Sequence, residues 1–205
     1  MNEPEYHERE LKIARDPSHP SHESPPAMPP GARILDIGCG AGQTLIASYP
    51  DRPTFGIDVD QDALKLGRGW TSSVAFTCGQ SEALPFRSGE FDLVVARVSL
   101  PYTHIPRSLS EIHRVLKPGG MVWMTLHPFS LRMRQVRWAR WRSWLSFAYV
   151  VTNGICLHIL QKQFALGGRQ ESFQTAGGIH RALRRAGFRD VQFDPNRHFL
   201  FTARS

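Results

Sequence analysis

The stretch ILDIGCGAGQ, Ile34 to Gln43, packs three glycines into five residues behind an apolar run that holds one acid, Asp36. Gly38, Gly40 and Gly42, with Cys39 between the first two, would let the backbone approach a ligand closely. Two phosphate-binding turns can be tested against it. The dinucleotide fingerprint G-x-G-x-x-G needs its third glycine five places after the first. Gln43 stands there, and Gly42 comes one place early. The nucleotide triphosphate loop needs Gly-Lys-Ser/Thr, which does not follow. Asp36 would repel a pyrophosphate and suit a ligand carrying positive charge.

A second acid, Asp58 in GIDVD, closes the next apolar run. That is where an open α/β sheet holds the ribose of an adenosine, and a carboxylate can accept from both ribose hydroxyls. An adenosine that carries a cation in place of phosphates is S-adenosylmethionine.

These residues need strands that end in loops on one side of a sheet. From residue 33 apolar runs of strand length alternate with helical patterns: RILDI, a helix near 43–48, TFGIDV, DQDALKLGRG, SVAFTC, FDLVVARV, RSLSEIHRVLK and GMVWMTL. The alternation predicts an α/β fold with parallel strands and crossover helices. LKPGG reads as a helix end, with Lys117 in the last turn and Pro118 unable to continue. SFQTAGGIHRALRRAGF reads as a helix ending at Gly187, with strands RDVQFD and HFLFTARS after it. Residues 1–30 end in a Pro/Ser/His-rich stretch and read as a flap or lead-in, with one short helix in EYHERELKIAR. His19 and His22 in that stretch read as solvated, and no metal site is expected. Residues 31–205 form the main domain.

The 205 residues suffice for one packed domain, and the 41% hydrophobic content with 21% charged residues excludes a disordered chain. Cys39, Cys78 and Cys156 are odd in number and widely spaced, which argues against a disulfide framework. No secretory signal is read at the N-terminus, and a cytoplasmic setting is expected. Residues 129–205 hold 13 Lys and Arg against 3 Asp and Glu, whereas residues 1–128 hold 12 against 15. The net charge of +7 therefore belongs to the C-terminal part. Such asymmetry suits an acidic partner, although 21 Arg against 4 Lys also fits a GC-rich genome.

ILDIGCGAG, GIDVD, GQSEALPFRSGEFDLVVA and LSEIHRVLKPGG, in that order, resemble the class I S-adenosylmethionine-dependent methyltransferases, and most of all the small-molecule branch with the ubiquinone and menaquinone enzymes. The resemblance covers about residues 31–127 and returns weakly at 173–205. It implies a Rossmann-like, doubly wound seven-stranded sheet whose last strand is antiparallel. It also implies that Asp36, Gly38, Cys39, Gly40 and Gly42 line the methionine and ribose end, Asp58 takes the ribose hydroxyls, and Val59 packs on the adenine. Gln80, Ser81 and Glu82 would lie at the adenine edge, and Ala96, Arg97 and Val98 near the methionine part. Family members usually carry an acid where this chain has Gln80, but an amide can still accept from the adenine amino group.

The activity implied is methyl transfer to an O, N or C atom of a small-molecule acceptor by in-line displacement, which needs alignment and water exclusion more than a fixed catalytic group. His127 and then Tyr102 are the candidates for a base or acceptor-orienting group. Each fits an ordinary loop residue equally well. His104 also follows the fourth strand, and His113 falls inside a helix. Pro101 stands where relatives often carry a histidine.

Residues 129–170 form a helical insertion after the fifth strand that should build the acceptor pocket. Arg132, Arg134, Arg137, Arg140 and Arg142 interleave there with Trp138, Trp141 and Trp144. A lid helix is the reading preferred, for an acceptor that is hydrophobic or acidic. Peripheral membrane contact is the next, although Arg and Trp do not segregate at helical spacing. An RNA or protein substrate and a non-catalytic binding module are the alternatives. The missing Asn-Pro-Pro-Tyr-type motif counts against nucleobase methylation. The run from Ser143 to Leu160 is barely long enough to span a membrane and holds polar residues that argue for a buried or lid helix. Oligomeric state is left open.

Overall fold

The computed structural model describes residues 3–50, 52–126, 141–166, 170–195 and 199–205. The elements are α1 (Glu3–Arg15), β1 (Ile34–Ile37), α2 (Gln43–Ser48), β2 (Thr54–Asp58), α3 (Gln61–Trp70), β3 (Val74–Cys78), β4 (Phe91–Arg97), a short 3-10 turn (Leu100–Tyr102), α4 (Ile105–Val115) and β5 (Leu116–Thr125). They continue with α5 (Trp141–Leu160), α6 (Ala176–Arg185), β6 (Arg189–Asp194) and β7 (Leu200–Arg204).

The strands form a seven-stranded sheet in the order β3-β2-β1-β4-β5-β7-β6. β1 to β5 pair in parallel, and β7 runs antiparallel to both β5 and β6. The order reverses at β1 and β4, so their loops diverge and open a crevice at the C-terminal edge of the strands. All four residues of β1 are buried, as are five of the seven in β4. Such runs are almost continuously apolar because both faces of the sheet are covered.

Local signals set the helices. Asp60 caps α3, its Oδ1 accepting from Asp62 N at 2.9 Å and Ala63 N at 3.1 Å. α4 buries Ile105, Ser108, Leu109, Ile112 and Val115, the spacing of one apolar stripe. Thr175 caps α6 by accepting from Gly178 N at 3.0 Å. His113 sits edge-on to Phe188, with ring centres 5.1 Å apart, and so serves packing.

LKPGG differs from the reading as a helix end. α4 stops at Val115, and Leu116 already pairs with Phe91 as strand. The reason is Pro118, which disfavours helical backbone at Lys117. Lys117 extends instead, and its Nζ lies 2.7 Å from Asp92 Oδ2. Among the described residues no helix is long and apolar enough to cross a membrane.

Candidate functional site

A cavity of about 910 Å³ opens at the crevice between the β1 and β4 loops. That size accommodates a cofactor-sized ligand. Gly38, Cys39 and Gly40 line it from the β1 loop, Asp58 and Val59 from β2, Gln80, Ser81 and Glu82 from the β3 loop, and Arg97 and Val98 from β4.

The glycines are required chiefly by the protein around them. Gly38, Gly40 and Gly42 have φ of +71°, +53° and +83°, where side chains are strained. A Cβ on Gly38 would come 2.2 Å from Ser99 Cβ, so the β1 and β4 loops can touch only with glycine there. A Cβ on Gly40 would meet His7 and Gln43. Gly42 opens α2 and faces Phe76, and it is not among the residues that line the cavity.

Asp58 holds the two loops together. Its Oδ2 accepts from Gly40 N at 2.8 Å and its Oδ1 from Asp60 N at 2.9 Å. Each oxygen keeps a further lone pair, and those are the acceptors a ribose diol requires. Val59, beside it, is 65% exposed and offers an apolar platform.

Asp36 lies beneath the loop, 2% exposed and outside the cavity lining, and its Oδ1 has no hydrogen-bond partner. Burial raises its pKa to about 8, against the pull of Arg97 and with a smaller push from Asp58. A buried carboxyl in this condition favours a cation nearby. The described lining carries four acids, Glu10, Glu23, Asp58 and Glu82, against one Lys or Arg, Arg97. The residues present thus fit a cationic adenosine ligand: a diol acceptor, an apolar platform and an excess of negative charge.

Ser81 and Glu82 serve the frame as well as the cavity. Ser81 Oγ lies 2.8 Å from Ser108 Oγ, and Glu82 Oε1 accepts from His104 N at 2.8 Å. Gln80 is exposed at the rim. Ala96 departs from the place expected near the ligand. Its side chain is fully buried in the core and does not line the cavity, because alternation along β4 sends Arg97 to the crevice instead. Val98, a β-branched residue at φ +58°, turns the chain there, its N–H held by Thr125 O at 3.0 Å.

Tyr102 lines the cavity from the 3-10 turn and is 53% exposed. His104 is the cap of α4, its Nδ1 accepting from Arg107 N, and burial with Arg107 nearby holds its pKa below the ordinary value. His127 lies outside the described residues, as do Arg132, Arg134, Arg137, Arg140 and Trp138.

Besides Glu23 and several smaller lining residues, the sequence reading missed four contributors. Tyr6, His7 and Glu10 of α1 line the cavity. Glu10 Oε2 sits 2.5 Å from Arg97 Nη2, and Gln43 Nε2 donates to His7 Nδ1 at 2.7 Å. α1 is mostly polar, so no apolar stripe marked it. The fourth, Thr125, ends β5 in the cavity wall, buried, with an unpartnered hydroxyl.

The chain is similar in sequence and fold to known proteins. The family described as "Methyltransferase domain" matches residues 34–120. A demethylmenaquinone methyltransferase from Symbiobacterium thermophilum is 29% identical over 179 residues, 80% of this chain and 71% of its own. A malonyl-[acyl-carrier protein] O-methyltransferase from Methylococcus capsulatus is 26% identical over 174 residues, 81% of this chain and 55% of its own. A phosphoethanolamine N-methyltransferase 2 from Haemonchus contortus, solved with S-adenosyl-L-methionine, superposes with a TM-score of 0.59 at 20% identity. That superposition covers 91% of this chain and 38% of the other, and it shows the shared fold.

Proposed function

Because the chain belongs to the class I S-adenosylmethionine-dependent methyltransferases, we propose that it moves a methyl group from that cofactor to an O, N or C atom of a small-molecule acceptor. The observation that carries the reading is Asp58: a carboxylate at the switch point, fixed by two backbone N–H groups, with acceptor capacity left over in an acid-lined cavity. The cofactor supplies a methyl group already activated by its sulfonium.

The chain's own residues bind and align. Asp58 accepts from the ribose hydroxyls, Val59 packs on the adenine, and Gln80 reaches its edge. Asp36 and the lining carboxylates favour the cation. Gly38, Cys39 and Gly40 shape the wall, and Thr125 offers its hydroxyl. Tyr102 orients the acceptor or takes its proton, and His127 is the other candidate for that task. Residues 1–30 act as a flap over the donor pocket, and residues 31–205 as the transferase domain with its insertion at 129–170.

The relatives named above are a demethylmenaquinone and a malonyl-[acyl-carrier protein] methyltransferase, which supports a small-molecule acceptor here. An acidic acceptor would have to take Arg97 from Glu10, whereas an apolar one need break no ion pair. The apolar acceptor is therefore the better fit. Four carboxylates in the cavity wall weigh against RNA.

Titration calorimetry with S-adenosylmethionine and its demethylated product tests the reading, followed by transfer of labelled methyl to pools of quinols, acids and amines. Micromolar binding and a labelled product are expected. Absence of binding at millimolar ligand removes the proposal, and binding without transfer to any pool leaves the non-catalytic module in its place.

A further inference from the structure

From Trp144 onward helix α5 lies at the surface yet carries no charged side chain. From Trp144 to Leu160 there is no Asp, Glu, Lys or Arg. Its inward side is Val150, Asn153, Gly154 and Leu157. Asn153 is fully engaged there, donating to Glu171 O at 3.0 Å and accepting from Phe164 N at 2.8 Å. Gly154 lies against Phe173, whose ring would stand 2.3 Å from an added Cβ.

The other side is apolar. At about 100° per residue, Trp144, Leu145, Ala148, Thr152, Ile155 and Ile159 fall in one arc of roughly 100°. All six are exposed, Leu145 by 62% and Ile159 by 64%. The patch continues past the helix in Leu160, Phe164 and Leu166, each more than half exposed. A surface helix normally carries its charged residues on such a face.

Charge instead collects at the end of the helix. Lys162 is exposed just beyond it. Arg181 donates to His158 O, and Arg185 Nη1 reaches Leu160 O at 3.5 Å. The last carbonyls of α5, which have no partner within the helix, thus hold two arginines beside Ile159 and Leu160. Between Trp141 and Arg189 the sequence has seven Lys or Arg and one acid, Glu171.

We propose that α5 docks on an anionic membrane surface, its apolar face in the headgroup–acyl boundary and Lys162, Arg181 and Arg185 on the lipid phosphates. An apolar helix face with a cationic rim is the arrangement that binds such an interface, where each surface cation adds to the apolar area. A second copy of the chain fits the face less well, because this part of the sequence offers its cationic rim a single acid, Glu171. The helix lies on the bilayer and does not cross it. The segment after α5 is pinned to the cavity rim: Gln163 Oε1 accepts from Ile105 N at 2.7 Å, and its Nε2 donates to Thr103 O at 3.2 Å. Docking would thus bring the cavity mouth close to the lipid, although the docking surface stands whether or not methyl transfer is demonstrated.

Co-sedimentation of the full chain with vesicles of phosphatidylcholine, with and without phosphatidylglycerol, tests the proposal. Binding is expected to the anionic vesicles only, and to weaken as salt rises. The double substitution Ile155→Glu with Ile159→Glu should lower partitioning about 100-fold, and Lys162→Gln with Arg185→Gln about 30-fold. Since the double variant can fail to fold, the unmodified protein is also titrated with vesicles carrying a spin label at the acyl boundary, which should quench its tryptophan emission. Equal binding to neutral vesicles, no quenching, or a dimer in solution that Ile155→Glu splits would each overturn the proposal.

Discussion

The cavity and the outer face of α5 are both open to ligands, and they distribute charge in opposite ways. The cavity is lined by Glu10, Glu23, Asp58 and Glu82 against Arg97 as the one Lys or Arg among the described lining, with a buried acid, Asp36, beneath. The face of α5 carries no charge and ends in a rim of cations. On the proposed readings, recognition in the first would rest on single directional contacts, in a wall fixed by bonds such as Gly40 N to Asp58, and in the second on summed area and on charges that act together. The cavity should therefore fail when one atom is moved, whereas α5 should weaken by steps.

The largest effect expected is at Gly38. An alanine there meets Ser99 at 2.2 Å and keeps φ at +71°, so Gly38→Ala should cost about 3 kcal/mol or more of stability, read from the denaturation midpoint. Asp58→Ala removes the proposed diol acceptor and the link between loops, and calorimetry should show cofactor affinity falling about 100-fold. If affinity is unchanged, the cavity does not recognise the ligand atom by atom and the comparison breaks.

Asp36 sharpens it. Its carboxyl titrates near 8 when folded and near 3.8 when unfolded. The folded chain keeps a proton that the unfolded chain releases, so this contribution is full below about pH 4 and is lost as pH rises toward 8. Asp36→Asn should flatten that slope and stabilise the ligand-free protein at pH 8 by an amount on the order of 2 kcal/mol, after local relaxation. In the unsubstituted protein, cofactor binding at neutral pH should release a proton, visible as a dependence of binding heat on buffer.

Smaller effects should follow where α1 meets the cavity wall. Glu10 and Arg97 are mostly shielded from solvent, and Glu10→Gln should cost about 1 kcal/mol, seen as faster amide exchange in α1. Smallest of all, Ile159→Glu should leave cofactor affinity within about twofold, since distant sites act independently. A larger loss would mean that the two regions are coupled.

Much of this was legible in the residues. The alternation of apolar runs and helical stripes specified the α/β order, and Asp36, Gly38 and Asp58 singled out the strand ends and loops beside which the cavity lies, because backbone freedom and charge are properties of residue types at fixed spacing. α1 could be seen as a helix, but not as a wall of the cavity. Its contacts, Glu10 to Arg97 and His7 to Gln43, join positions dozens of residues apart in the chain. The helix end at Lys117 was misread because the residue before proline is governed by sterics that outweigh a favourable last-turn charge.

The sequence by itself determined which cofactor chemistry the loops can serve and that the C-terminal part is basic. Only the tertiary structure decided that Ala96 faces the core while Arg97 faces the cavity, that Gly38 answers to Ser99, and that the uncharged side of α5 points outward. The reason is that a side chain's role depends on what packs against it. Packing is settled between segments, where local spacing carries no information.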